Sequence, residues 1–385
     1  MKNMPVHLGW LSLLVCLLVV GSLTPISQAQ GLLVSSDVYA CYNLFGGSSS
    51  ITFGGRVIHP NSVLQVVGST NTCPSGEQAI NLNSPTPATA APSNQNLQQI
   101  AQPHWYDANQ TFPTITLGNI PQGMAFDGTN IWVANQLSNN VTKIRANDGS
   151  VVGTYSVGSN NPVNLVFDGT YIWSTNHLGG SVTKLKASDG SIVGFYAVGG
   201  LPWGIAFDGT NIWVSSLASS FITKLKASDG SVVGTYTVGS WPAGIAFDGT
   251  NIWVANSSSN NVTKLKASDG SVIGTYPVGT LPYGVAFDGT NIWVANHDSN
   301  NVTKLKASDG SLIGTYAAGT GSQNLAYDGT NIWVANGGSN NVTKLRASDG
   351  SLVGTYPVGA GTWGVAFDGT KIWVTNQDSN NVSRL

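Results

Sequence analysis

Across residues 111–385 the apolar positions fall into short runs, and the runs recur in a fixed order. The stretch FDGTNIWVAN at 126–135 returns six more times, beginning at Phe167, Phe207, Phe247, Phe287, Tyr327 and Phe367. The first step is 41 residues and each later one is 40. Around it lies a longer unit, in consensus P-x-G-[IV]-A-F-D-G-T-N-I-W-V-A-N-x-x-S-N-N-V-T-K-L-K-A-S-D-G-S-V-V-G-T-Y-x-V-G. Four strands are predicted per unit: an inner G-I-A-F run, then N-I-W-V-A, V-T-K-L-K and V-V-G-T-Y. Asp-Gly joins the first strand to the second and the third to the fourth. That dipeptide is a hairpin signal in which both central turn residues are expected at positive φ.

The second strand is apolar on both faces, with Ile131 and Val133 on one and Trp132 and Ala134 on the other. A strand covered on both sides does not alternate. A period near 40 with four short strands is that of a β-propeller blade, sandwiched between two neighbours. The recurring Trp132, Trp173, Trp213, Trp253, Trp293, Trp333 and Trp373 are therefore expected to pack between blades. The last unit stops inside its third strand, at 381–385, and has no fourth. Ahead of the first unit, FPTITLG at 112–118 aligns with T-Y-x-V-G, a fourth strand without a blade. The expected fold is all-β: a seven-bladed β-propeller over 111–385, closed by an N-terminal strand that completes the last blade. Closure is expected to remove open strand edges.

Composition narrows the partners. Charged residues are 9% and the net charge is −2, so neither nucleic-acid binding nor an acidic tail is indicated. Residues 8–20 form a largely apolar run behind Lys2 and His7, and Ser27-Gln28-Ala29 follows as a small-x-small cleavage site. Residues 1–29 thus read as a secretory signal peptide, too short in its apolar part to span a bilayer. The expected location is extracellular or periplasmic, with no transmembrane segment after signal removal. Of three cysteines, Cys16 lies in the leader, and in an oxidising compartment Cys41 and Cys73 are expected to pair. They belong to a small module, 30–83, with strands expected in VYACYN and VLQVVG and too few apolar residues for a robust core of its own. Residues 84–110, rich in Pro, Ala, Asn and Gln, read as a linker.

The motifs VAN-x-x-S-N-N-V and x-V-G-x-x-P-x-G-[IV]-A resemble the YVTN-type seven-bladed propeller repeat, related in shape to NHL and streptogramin-lyase-like propellers. The resemblance covers about 70% of the chain and implies the fold; the same blade hosts binding proteins, lyases and lactonases. In the N-terminal module Cys41, Tyr42, Cys73, Gly76, Glu77 and Ile80 resemble a short cysteine-pair module of secreted bacterial proteins.

An active centre needs particular groups once, so the repeats can be subtracted from one another. Almost every ionisable residue after Thr111 sits at a repeated position; the exceptions include His177, His297, Asp298, Asp378 and Lys371. The propeller has no Cys and no Glu, the one Glu being Glu77. A Cys nucleophile, a Cys-bearing metal site and a paired-Glu acid/base site are excluded there. Streptogramin lyases use a His with a Glu partner near a bound metal, and that Glu is missing. The repeated Asp-Gly aspartates lack the alternation of a calcium loop and read as turn residues. The Lys pairs of the third strand, such as Lys184 and Lys186, read as solvated. What varies lies in the loops between second and third strands and between units, which emerge on one face. There Trp203, Trp241, Tyr283 and Trp363 are expected to rim the channel mouth, with His177, His297, Asp298 and Asp378 nearby. These residues are the candidate binding site for an unknown protein or glycan. The expected function is a secreted, monomeric, non-catalytic binding or scaffold protein with no cofactor and no metal. A lyase or lactonase acting at the same face is the alternative.

Overall fold

The computed structural model describes residues 114–385 throughout, and five strands ahead of them: Tyr39–Asn43, Ile51–Phe53, Arg56–Ile58, Val63–Val67 and Gln78–Asn81. The chain divides into two units, Met1–Ile100 and Ala101–Leu385. In the first, Tyr39–Asn43 lies between Val63–Val67 and Gln78–Asn81 in an antiparallel sheet, and Ile51–Phe53 pairs with Arg56–Ile58. Two of these strands match the expected VYACYN and VLQVVG runs. The expected leader, the linker and Cys73, hence the Cys41–Cys73 pairing, lie outside the described residues.

The second unit is a seven-bladed β-propeller, each blade a four-stranded antiparallel sheet. The first blade comprises Pro121–Phe126, Asn130–Asn135, Asn140–Arg145 and Val151–Ser156, running from the channel outward. The seventh comprises Thr362–Phe367, Ile372–Asn376, Asn381–Arg384 and, as its outermost strand, Thr114–Thr116. Asn381 pairs with Thr116, Val382 with Ile115 and Ser383 with Thr114, so the ring closes as the chain ends indicated. Among the described residues no helix is long and apolar enough to cross a membrane.

The core lies between blades. Trp132 and Ala134 pack with Leu165, Ile172 and Leu185 of the second blade. Ile131 and Val133 pack the other way, with Trp373 and Val382 of the seventh. A buried indole must still pair its N–H. In every blade it does so on the turn aspartate: Trp253 Nε1 donates to Asp248 Oδ2 at 2.8 Å, while Asp248 Oδ1 accepts from the backbone N–H groups of Thr250 and Asn251. The turn aspartate thus shapes the hairpin and anchors the core at once.

Three expectations are corrected. Only the glycine of each Asp-Gly turn has positive φ, for example Gly249 at 92°. The carboxylate, by accepting from the two following N–H groups, replaces the backbone turn that a second left-handed residue would have made. Second, the first Lys of the third-strand pair is buried in blades one to five and not solvated. Lys184 is 2% exposed; its Nζ lies 5.0 Å from the Trp173 ring and donates to Ala227 O of the next blade at 2.7 Å. Lys186, by contrast, is exposed. Third, closure completes the ring but leaves the outermost strands as edges. Val151 and Val152, and equivalent pairs such as Leu352 and Val353, are exposed around the rim because a register shift at the second residue turns both outward.

Burial alone would raise the turn carboxyls, but the indole and backbone N–H groups outweigh it and hold Asp208, Asp248, Asp328 and Asp368 below the usual carboxylate range. A depressed folded pKa contributes stability that is fully present above the unfolded value, about 3.9, and is lost as pH falls through the folded values. The melting temperature is therefore expected to hold from pH 8 to pH 5 and to fall steeply below about pH 4. Differential scanning calorimetry down to pH 2 checks this; an unchanged transition there would show that the aspartates do not couple to folding.

Candidate functional site

The site grows out of a bulge. In every blade the innermost strand carries one more residue than its partner between its first and fourth positions, as where Pro202 pairs with Ser216 and Ile205 with Val214. A bulge bends its strand and re-aims the extra side chain. The residue after the strand start is the one that varies: Gln122, Val163, Trp203, Ala243, Tyr283, Gln323 and Trp363. The glycine that follows in five blades is required by close approach; a Cβ on Gly244 would meet Tyr283 O at 2.2 Å.

Three of these side chains converge. The Trp203 ring lies 5.7 Å from Trp363 and 6.5 Å from Tyr283, and Tyr283 lies 6.2 Å from Trp363. The two histidines flank them: His177 packs edge-on to Trp203 at 5.2 Å and His297 to Tyr283 at 5.5 Å. The rings therefore touch one another instead of standing separately around the mouth. Beneath them is a chamber of about 150 Å³ in the channel, lined among others by Trp203, Tyr283, Gln323, Trp363, Ile205 and Val365. Trp241 stands apart. It precedes Pro242, is 55% exposed, and takes φ 55°, a left-handed conformation that blades six and seven give to Gly321 and Gly361. Asp378 is exposed on its loop.

At His177 and Tyr283 burial favours the uncharged form. Burial lowers the pKa of His177, whose Nδ1 is 3.4 Å from Pro202 O, opposing that shift. Burial raises the Tyr283 phenol, and Asp298 adds to the rise. His297 Nδ1 and Asp298 Oδ1 are 2.7 Å apart and border a second, shallower cavity of about 290 Å³ with Thr320 and Gly338. Among the described residues no group of three or more His, Cys, Asp or Glu is close enough to hold a metal ion.

Sequence reasoning missed the polar wall. Asn164 and Asn324 stand where the other blades carry glycine and line the chamber; Asn164 Nδ2 donates to Trp203 O at 3.1 Å. Thr175 Oγ1 donates to the same carbonyl at 2.9 Å, so blade two braces the backbone under Trp203. Gln323 Oε1 and Trp363 Nε1 are buried without a hydrogen-bond partner. The exchange of glycine for asparagine at a repeated position was the available signal.

The loop face is also stitched from blade to blade. Asn380 Oδ1 accepts from Ile120 N at 2.9 Å, and Asn139, Asn260, Asn300 and Asn340 do the same for the following blade. Each of these asparagines sits at positive φ. Gly180 and Ser220 replace them around blade three, which carries Trp203.

No family model matches this sequence, and no curated protein does. Solved structures match the fold. The chain is similar to a streptogramin B lyase structure, with TM-score 0.62 and 19% identity, over 71% of this chain and 97% of that one. A catalytically inactive virginiamycin B lyase from Staphylococcus aureus, determined with quinupristin, matches with TM-score 0.62 and 19% identity, over 71% of this chain and 98% of that one. Hydrazine synthase from Kuenenia stuttgartiensis matches with TM-score 0.61 and 19% identity, over 72% and 98%. At such identity the likeness is one of fold, which hosts many functions.

Proposed function

We propose that this chain is a secreted, non-catalytic binding or scaffold protein that recognises its partner through the face built from the inter-blade and second-to-third-strand loops. The observation that carries the reading is the convergence of Trp203, Tyr283 and Trp363 at one repeat position otherwise occupied by Gln, Val or Ala. Backbone geometry asks only for the bulge there; it does not ask for three large aromatic rings. The opposite face repeats Asp-Gly in all seven blades, as its turns require. A constant ring that presents differing side chains on one face suits recognition of one partner. The leader-like segment 1–29 supports export.

The test is a comparison of the protein with its Trp203→Ala/Tyr283→Ala/Trp363→Ala variant on glycan and secreted-protein arrays, followed by affinity measurement on any hit. Each aromatic anchor is expected to contribute about 1–2 kcal/mol or more, so the triple variant should lose at least a hundredfold in affinity. Unchanged affinity, with loss instead on altering the Asp-Gly face, would place recognition on the other side. The lyase-like fold neighbours favour a second reading, an enzyme acting at the channel mouth, where His177 and His297 flank the rings. That reading expects a tightly held divalent ion in protein purified without chelator; the binding reading does not.

A further inference from the structure

We propose that the loop face docks a basic peptide segment of a partner protein, one that sets Arg or Lys beside apolar side chains. The proposal rests on the reading of this face as a binding surface and names the chemistry of what it takes.

Charge is distributed unevenly over the two faces of the ring. Every Lys and Arg of residues 114–385 lies in a third strand or, as Lys371, at the turn before a second strand. The inner cation of each blade is held against that blade's indole, from Lys143 in the first to Arg384 in the last. The outer one, such as Lys266, stands where the third strand meets the Asp-Gly turn that follows. The loop face therefore has no Lys or Arg. The turn aspartates of the opposite face are engaged: Asp248 by its indole and backbone N–H groups, Asp269 by Ser271 N at 2.9 Å and Lys266 at 3.7 Å. Two carboxylates are left, and both belong to the loop face. Among the described residues Asp298 pairs only with His297, and the Asp378 carboxylate has no hydrogen bond or ion pair.

The indoles divide in the same way. Each repeat-core indole has a cation over its ring, whereas Trp203, Trp241 and Trp363, all on the loop face, have none. The free carboxylates flank these rings. His297 links Asp298 to Tyr283, bonding the first at 2.7 Å and packing on the second at 5.5 Å. Asp378 stands beside Gly361 in the loop that leads into Trp363; a Cβ on that glycine would meet Asp378 Oδ2 at 2.6 Å. An Arg or Lys side chain laid across the cluster would gain a cation–π contact and a charge-assisted bond together.

Other partners fit less well. A quaternary ammonium group needs a cage with a gap between its rings, and these rings touch, with centroids 5.7–6.5 Å apart. An acidic or phosphorylated segment would meet carboxylates with no Lys or Arg to offset the repulsion. Leu137, Leu178 and Trp241 continue the face as exposed apolar groups, so the partner must offer apolar side chains as well as cations. A free polyamine carries the charge without those side chains; a peptide carries both.

The experiment titrates the full chain with a short, end-capped peptide alternating Leu and Arg, following tryptophan fluorescence. Analogues alternating Leu with Glu and Ser with Arg are run beside it. The Leu–Arg peptide is expected to saturate the protein, with each analogue about tenfold weaker or more. Asp298→Asn/Asp378→Asn should weaken it about three- to tenfold and flatten its dependence on salt, with the melting transition kept. Asp229→Asn/Asp309→Asn, on the opposite face, should leave binding unchanged. Equal binding of the Leu–Glu peptide, indifference to the first pair of variants, or equal loss in both pairs overturns the assignment of charge to this face. Equal binding of the Ser–Arg peptide overturns the apolar part of the partner. If no peptide binds, the proposal falls, while the binding face is judged separately by the array comparison with the triple alanine variant.

Discussion

Deleting residues 111–118 is expected to lower the melting temperature of the propeller by about 10–20 °C. Their strand, Thr114–Thr116, is the outer edge of blade seven and pairs with Asn381–Ser383. Leu117 N donates to Asn380 O at 2.9 Å, extending the pairing past the strand. Ile115 and Leu117 pack, partly buried, against the cluster that contains Ile144, Trp373 and Val382. Losing both side chains from that cluster and the ladder hydrogen bonds amounts to roughly 4–6 kcal/mol, taking part-burial of two aliphatic residues and about 1 kcal/mol for each bond. For a domain of this size each kcal/mol moves the transition by about 2–4 °C. Blade seven would also lose its fourth strand next to the seam that Arg384 bridges. There Arg384 stacks over Trp373 at 5.7 Å and reaches Ala146 O and Asn147 O of blade one at 3.5 and 3.4 Å. These are longer than the 2.7 Å Lys contacts elsewhere in the ring, so the seam has less to spare. Calorimetry on the deletion variant decides the matter; an unchanged transition would mean that the ring holds without its N-terminal strand.

The architecture was legible because its causes are local and repeated. The period of 40, the Asp-Gly turns and the two-faced second strand each follow from residues within one unit, and the spare strand at 112–118 matches the one missing from the last unit. The buried lysines were not legible in the same way. V-T-K-L-K alternates like a half-solvated strand, yet Val262, Thr263, Lys264 and Leu265 are all buried, because the third strand too is sandwiched between blades. The register that sets Trp253 opposite Lys264, and the carbonyls of the next blade that receive its ammonium, are properties of the assembled ring. The site was half legible. Subtracting the repeats singled out Trp203, Tyr283 and Trp363, because they share one position. It could not separate Trp241, two positions earlier than theirs in the repeat, which the left-handed turn directs elsewhere. Nor could it show that Gln323 and Trp363 leave polar atoms unpaired, since that depends on which neighbours reach them.

The second large effect is expected at the repeated tryptophan. Trp253→Ala should destabilise the protein by about 3–5 kcal/mol, the range for removing a large aromatic residue from a packed core. Trp253 is fully buried, and four interactions meet on it. Its ring packs with Ala255, Val262, Ile292 and Val294 between blades four and five, and lies 5.6 Å from Tyr276. Its N–H pairs with Asp248, and Lys264 Nζ sits 5.1 Å from its ring centre. Truncation opens a cavity, leaves the inner carboxylate oxygen without its indole donor and removes the aromatic face beside a buried ammonium. The last term distinguishes this site from an ordinary core aromatic, since a buried cation that loses a favourable neighbour keeps its desolvation cost. Two further variants separate the contributions. Trp253→Phe keeps much of the packing and is expected to cost roughly 1–3 kcal/mol through the smaller ring and the loss of the indole donor to Asp248 Oδ2, which is left with Asn251 Nδ2 alone. Lys264→Met keeps much of the stem volume while removing the charge. If the ammonium and the indole act together, the cost of Trp253→Ala should be smaller in the Lys264→Met background than alone, by about 0.5–2 kcal/mol. Chemical denaturation of the four proteins in that cycle measures the coupling. Strict additivity would show that lysine and tryptophan share the space between blades without stabilising one another.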